Sequence, residues 1–118
     1  MAAAQFDITI DQGATLQQTF KWTSDAGVGI DLTGYTAQMQ VRSDYADNGG
    51  TIYLTLSSAA GTIVITPASG QIDLVVPPAT TQGLTFTSGV YDLEVTSPTG
   101  VVTRLVRGTA TLSKEVTR

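Results

Sequence analysis

Short runs of alternating apolar and polar residues constrain the fold more than any other feature of the sequence. The clearest run lies in residues 89–108, where Tyr91, Leu93 and Val95 alternate with polar residues up to the turn sequence Ser-Pro-Thr-Gly at 97–100. A period of two places successive side chains on opposite faces of a β-strand. Proline presets φ for the second turn position, and glycine accepts a positive φ at the end of the turn. The stretch therefore predicts a β-hairpin, with a bend or bulge at Gly108.

Runs of the same kind recur along the whole chain. They predict further strands at 6–10, 16–22, 36–42, 52–56, 61–65, 72–76 and 110–116. Residues 79–84, which follow a Pro-Pro pair, predict a single helical turn. Eight or nine short strands separated by glycine and proline turns are typical of a β-sandwich or barrel. Since 118 residues is close to the commonest domain size, we expect one all-β domain over residues 1–118.

The residues of the hairpin also indicate the kind of sandwich. Residues 89–93, Gly-Val-Tyr-Asp-Leu, match the Gly-x-Tyr-x-Cys pattern at the start of the sixth immunoglobulin strand, with Leu93 in place of the cysteine. We therefore expect an immunoglobulin-like antiparallel β-sandwich. In such a fold the Tyr91 hydroxyl would bond to nearby backbone as a tyrosine corner; alternatively, Tyr91 only fills the edge of the core.

The alternation also predicts which side chains form the core. A corner at residues 31–35 is expected to place Leu32 or Tyr35 in it. The other predicted core residues are Phe6, Ile8, Leu16, Phe20, Met39, Val41, Leu54, Ile72, Leu74, Leu93, Val95 and Leu112.

The composition excludes several kinds of chemistry. The chain has no cysteine and no histidine, so it lacks thiolates, disulfides and the usual general base near neutral pH. The first residues do not resemble a signal peptide, and no run approaches the roughly 20 apolar residues of a membrane span. A net charge of −4 argues against nucleic acid as the main partner. We expect no enzyme activity, cofactor, metal, small-molecule substrate or membrane contact.

Three groups of residues partly match the patterns of chemical sites. Asp92 and Glu94 share a strand face about 7 Å apart, and a pair of carboxylates is the minimum for glycoside hydrolysis, but no aromatic platform for a sugar is evident beside them. Residues 44–49 resemble a calcium loop only in part, because ligand positions three and twelve hold Ala46 and Thr55. Trp22 and Tyr53 could stack on a sugar; Trp22 lies on the apolar side of its strand, whereas alternation places Tyr53 outward.

The distribution of charge points to a protein partner. Up to Thr103 the chain has two basic and nine acidic residues, a net charge of −7; the last fifteen residues hold four basic and one acidic, a net charge of +3. The strand over residues 101–107 carries apolar residues on both faces, which suggests that a second surface covers it. Alternation places Arg104 and Arg107 on opposite faces. The predicted interface residues are Arg104, Arg107, Val102, Val106, Arg118, Asp92 and Glu94.

The hairpin and C-terminal residues resemble those of small β-sandwich virion proteins of tailed bacteriophages, a family that includes a tail-collar and lateral-tail-fibre-attachment domain. The resemblance rests on the order Leu84, Gly89-x-Tyr-Asp-Leu-Glu-Val, Gly100-x-Val-Thr-Arg-Leu, Gly108-Thr and Glu115-Val-Thr-Arg. Residues 31–35, Asp-Leu-Thr-Gly-Tyr, and 40–42, Gln-Val-Arg, are also similar to the N-terminal domain of phage baseplate upper proteins.

This resemblance implies a non-enzymatic virion protein that is made in the bacterial cytoplasm. Its expected role is a tail collar or baseplate adaptor that forms a ring of copies and attaches tail fibres. Its partners would be further copies of itself and other phage tail or fibre proteins. Two alternatives stay open: a head decoration protein that clamps capsid subunits, and a receptor- or glycan-binding module of the tail.

Overall fold

Most strands lie close to where the alternating pattern predicts them, but the two strands predicted at 101–107 and 110–116 are one continuous strand that ends at Ser113. The computed structural model describes residues 3–117, except for the side chain of Ala46. Nine strands form in this part of the chain: β1 (Ala4–Gln5), β2 (Ile8–Asp11), β3 (Leu16–Lys21), β4 (Thr36–Arg42), β5 (Ile52–Ser57), β6 (Ile63–Thr66), β7 (Gln71–Val76), β8 (Ser88–Thr96) and β9 (Val102–Ser113). Short 3-10 helices lie at Ala46–Asn48 and Pro67–Ser69, and the predicted helical turn is the helix α1 (Pro78–Gln82).

The strands form two sheets that pack face to face. The larger sheet has the order β1-β9-β8-β4-β5, with β2 also beside β9, and the smaller sheet has the order β3-β7-β6. Strands β8 and β9 are the predicted hairpin. This arrangement confirms the immunoglobulin-like β-sandwich.

The N-terminal strands depart from the antiparallel pattern. Both β1 and β2 run parallel to β9, with Ala4 beside Val106 and Ile8 beside Ala110. The first two strands therefore form one edge of the larger sheet, where both pair with the last strand. A local pattern of alternation carries no information about such a pairing.

Ten of the twelve predicted core residues are buried between the sheets. The prediction is wrong for Phe6, which is 42% exposed, and Phe20 is only partly buried against the core. Phe6 falls in the gap between β1 and β2, where its N–H donates to the Arg107 carbonyl at the sheet edge. Its ring packs edge-on against Phe20, with 5.5 Å between the centroids.

The corner at residues 31–35 buries Leu32, whereas Tyr35 is partly buried against the ring of Trp22. The corner is fixed by Asp31, whose Oδ1 accepts hydrogen bonds from the Thr33 hydroxyl at 2.7 Å and the Thr33 N–H at 3.0 Å. These bonds lower the pKa of Asp31 because they favour its ionised form.

Helix α1 is hydrogen-bonded to the turn between β2 and β3 through Thr81, the one polar residue buried in the described part of the chain. The Thr81 hydroxyl donates to the Ala14 carbonyl at 2.7 Å and accepts from the Gly13 N–H at 3.1 Å. Buried hydroxyls are stable only when hydrogen-bonded, and here the bonds join segments 67 residues apart.

The Tyr91 hydroxyl bonds to backbone, but the predicted tyrosine corner is wrong. Its acceptor is the Phe6 carbonyl, 85 residues away, rather than backbone a few residues upstream. Tyr91 lies opposite Gly108, at which a Cβ atom would lie 2.1 Å from the Phe6 carbonyl oxygen. The Phe6 backbone can approach β9 this closely only because residue 108 is glycine. The bulge that the sequence predicts at Gly108 lies elsewhere in β9. Tyr91 thus anchors the N-terminal segment to the hairpin.

Removal of the Tyr91 hydroxyl is expected to change how the stability of the fold depends on pH in the alkaline range. Burial raises the pKa of Tyr91, and the Asp7 carboxylate raises it further. The neutral phenol therefore contributes stability that is complete below the ordinary tyrosine pKa near 10 and is lost as the pH rises above it. In urea unfolding, Tyr91→Phe should cost about 0.5–1.5 kcal/mol at pH 7.

Between pH 10 and 11 the wild type should lose up to about 1.4 kcal/mol more stability than Tyr91→Phe. Tyr45→Phe, at an exposed position, is the control and should follow the wild type. Equal alkaline loss in wild type and Tyr91→Phe would contradict the role of the Tyr91 hydroxyl.

Candidate interaction face

A bulge in β9 decides where its arginines point. Leu93 pairs with Val106, but the next residue, Glu94, pairs with Arg104, so Leu105 is an extra residue without a partner. Leu105 and Val106 are consequently both buried, although they are adjacent. The bulge shifts the alternation by one residue and brings Arg104 and Arg107 to the same exposed side of the larger sheet. The prediction that they lie on opposite faces is wrong for this reason.

The bulge also corrects the predicted role of Val106. Val106 is 5% exposed and belongs to the core, so it cannot contact a partner. Val102 is 57% exposed at the start of β9, as an interface residue needs to be. The interface prediction for Arg118 lies outside the described residues.

The acidic residues Asp92 and Glu94 lie on β8 beside these arginines. In the strand register, Asp92 is opposite Arg107 and Glu94 is opposite Arg104. An ion pair forms on the diagonal, with 3.4 Å between Arg104 Nε and Asp92 Oδ2 and about half of each side chain exposed. Such exposed pairs contribute roughly 0–1 kcal/mol, so their arrangement has more value for recognition than for stability.

Strand β4 extends this surface with Gln40 and Arg42. The Arg42 guanidinium donates to the Gln40 side chain at 3.1 Å and to the Gly50 carbonyl at 3.2 Å, which holds it in place. We call the surface formed by Gln40, Arg42, Asp92, Glu94, Arg104 and Arg107 the charged face. It is the floor of a shallow groove of about 420 Å³.

The loop after β4 forms the rim of this groove with Asp44, Tyr45 and Asp47. Asp44 Oδ1 accepts hydrogen bonds from the Tyr45 N–H at 2.7 Å and the Asn48 side chain at 3.2 Å, as in a polar turn. Within residues 3–117 no three acidic side chains converge to form a metal site. The same residues include no helix long and apolar enough to cross a membrane.

A second and wider groove, of about 950 Å³, runs from the charged face past Val102 and Thr103 to Trp22. Trp22 is half-buried and packs edge-on against Tyr35, with 6.3 Å between the ring centroids. It thus contributes to the core, as its position on the apolar side of the strand indicates.

The other aromatic candidate for sugar binding does not point outward as alternation predicts. Val41 pairs with Leu54 and Arg42 pairs with Ile52, so Tyr53 is the extra residue of a bulge in β5. Its ring stacks on the buried ring of Phe86 at 4.7 Å between centroids and 3° between planes. Tyr53 is therefore partly buried against the core instead of forming an open platform.

Comparison with known proteins supports the fold and nothing finer. No family model and no curated protein sequence matches the chain. The structure is similar to a crystal structure of a chicken TCR, with a TM-score of 0.52 and 11% sequence identity. The match covers 98% of this chain but 55% of the TCR chain, so the protein spans about half the length of that neighbour. At this identity the likeness concerns the immunoglobulin-like fold alone.

Proposed function

We propose that the protein is a non-enzymatic structural component of a tailed-bacteriophage virion. Its role is that of a collar or baseplate adaptor, which forms a ring and attaches tail fibres. The residues that resemble phage virion proteins lie mainly in β8, β9 and the corner at residues 31–35. Those residues hold the sandwich together and carry part of the charged face, which suits a role in assembly.

The observation that carries the proposal is the placement of the charged face on the central hairpin of the larger sheet. Four of its five ionic groups project from β8 and β9, which are hydrogen-bonded to each other along their length. Rigid strands present such groups in fixed positions, as repeated contacts in a ring require. A mixed-charge surface of this kind favours specific docking and correct orientation.

The alternative of a glycan-binding module has weaker support than the sequence suggested. Its main residue, Tyr53, is stacked on Phe86 and offers no open platform. The head decoration alternative has no observation in its favour.

Labelling of the parent phage particle tests the proposal. Antibodies against the protein, viewed by electron microscopy, should mark the neck or the base of the tail at a ring of positions. Antibodies against the major capsid protein of the same particle serve as a control for the head. Labelling of the capsid would favour a decoration protein, and unlabelled particles would overturn the virion assignment.

A further inference from the structure

Strand β6, at one edge of the smaller sheet, lacks the features that normally prevent strand edges from pairing. It ends the order β3-β7-β6, so within residues 3–117 no strand lies on its other side. It belongs to residues 48–72, a stretch without a charged residue. Edge strands usually avoid pairing through charge, proline or a bulge, and β6 has none of these. By contrast, β3 ends in Lys21, β2 ends in Asp11 and β5 contains the bulge at Tyr53.

The free side of β6 presents backbone groups that another strand could bind. The Val75 N–H donates to the Thr62 carbonyl at 2.8 Å, so Thr62 and Val75 form a hydrogen-bonded pair of the ladder between β6 and β7. In an antiparallel ladder such pairs alternate with non-hydrogen-bonded pairs, and the register here is unbroken. Ile63 and Ile65 are therefore the residues whose N–H and C=O groups point away from β7, towards the edge of the sheet.

The sequence of this edge reads the same in both directions. Residues 62–66 are Thr-Ile-Val-Ile-Thr, so a second copy that runs antiparallel about Val64 places identical residue types opposite each other. In that register Ile63 lies opposite Ile65 of the second copy, and their outward N–H and C=O groups can exchange hydrogen bonds. A two-fold axis makes each contact occur twice, as in an isologous interface, the commonest type in dimers.

The side chains on the outer face of β6 suit the same register. Val64 is 46% exposed and would meet Val64 of the second copy on the axis, in a non-hydrogen-bonded pair, whose side chains lie close together. Thr66 would lie opposite Thr62, so neither pair brings like charges together. The chain on both sides of the strand consists of small residues, Ser-Ser-Ala-Ala-Gly at 57–61 and Ala-Ser-Gly at 68–70, which leave room for a second copy.

We propose that two copies of the protein pair edge to edge through β6, antiparallel about Val64, so that their two smaller sheets join into one continuous sheet. The net charge of −4 makes two copies repel each other, and an edge without charge is where they can approach. The charged face lies on β4, β8 and β9 of the larger sheet, so this contact leaves it free for the neighbours in the proposed ring. The pairing goes beyond the proposed function and does not depend on it.

Hydrogen exchange of the wild type tests which backbone groups pair. The amides of Ile63 and Ile65 should exchange at least about tenfold more slowly at millimolar than at low micromolar concentration, because only the dimer protects them. The Val64 amide faces β7 and is the internal control, which should stay protected at both concentrations. At 1 M salt the Debye length is about 3 Å, so these conditions screen any contact through the charged face.

A single cysteine tests the register, because the chain has none of its own. Val64→Cys should form a disulfide-linked dimer in oxidised glutathione, since directly opposed residues of a non-hydrogen-bonded pair have Cα atoms about 4.5 Å apart, within the range of a disulfide. Thr66→Cys is the matched control. Its position is also exposed, but the two copies of residue 66 would lie about 14 Å apart, too far to be linked.

A charge at the axis should prevent the pairing. In sedimentation at the same high salt, Val64→Lys should weaken dimerisation at least about tenfold, because it places like charges directly opposite each other. Gln17→Lys makes the same change of charge at an exposed position on β3, in the same sheet, and should leave the dimer intact. The melting curve of each variant shows whether it has folded.

Four outcomes would overturn the proposal. They are a wild type that stays monomeric at millimolar concentration, equal linking of Val64→Cys and Thr66→Cys, and equal weakening by Val64→Lys and Gln17→Lys. The fourth is the formation of particles larger than a dimer, which would make β6 an aggregation-prone segment instead of a specific interface. Because these measurements use isolated protein, their failure would not affect the particle labelling, which alone decides the virion role.

Discussion

Leu93→Ala is expected to lower the free energy of unfolding by about 2–5 kcal/mol, the range for truncation of a buried leucine. Leu93 is 0% exposed in the centre of β8. It lies between Met39 on β4 and Val106 on β9, so neighbours on both sides hold the cavity open. A closely packed interior relaxes only in part around a deleted side chain, and the lost contacts add to the lost burial.

Urea unfolding followed by circular dichroism measures this change. Val102→Ala, at an exposed position on β9, is the matched control and should change stability by no more than about 0.5 kcal/mol. A loss below about 1 kcal/mol for Leu93→Ala would mean that β8 is not at the centre of the core.

Gly108→Ala is expected to be nearly as damaging, although it adds only a methyl group. The new Cβ would lie 2.1 Å from the Phe6 carbonyl oxygen and 2.7 Å from the carbonyl carbon. Both are backbone atoms, so the N-terminal segment must move away from β9. This movement breaks the hydrogen bond from Tyr91 and disturbs that from the Thr109 N–H to Asp7.

Gly108→Ala should lower the free energy of unfolding by about 2–4 kcal/mol, because it overpacks the site and breaks roughly one hydrogen bond. Gly83→Ala is the control, because Gly83 is already helical, with φ of −77°, and its nearest neighbour would lie 3.6 Å from the new Cβ. This variant should be as stable as the wild type or more stable by up to about 1 kcal/mol, because alanine restricts the unfolded chain. Faster hydrogen exchange of the Thr109 amide in Gly108→Ala is the second expected result. Unchanged exchange and stability would show that the segment has room to accept a side chain.

The strands could be predicted from sequence because burial on one face of a sheet imposes a period of two. Leu93, Val95 and Met39 follow it and are buried as expected. The alternation breaks down where a β-bulge places one extra residue in a strand. In β9 the adjacent apolar residues Leu105 and Val106 were the available signal, since only a bulge buries two neighbours on one face.

The candidate site depended on that same bulge. Alternation correctly predicts that Asp92 and Glu94 share a face, because β8 is regular up to this point. It cannot place Arg104 and Arg107 together, because the shift of register arises from the pairing with β8. The sequence pattern could not predict the parallel pairing of β2 with β9 for a similar reason, since this pairing joins residues about a hundred positions apart.

The parallel pairing of β2 with β9 also determines how the domain bears mechanical load. Ile8 to Asp11 lie beside Ala110 to Ser113 and run in the same direction. A force that pulls the start of β2 away from the end of β9 therefore acts along the strands. It loads the hydrogen bonds of all four paired positions together, in shear, whereas a hairpin pulled from its open end separates one bond after another. The domain, pulled through these two points, would resist tension until the four paired positions slide apart together.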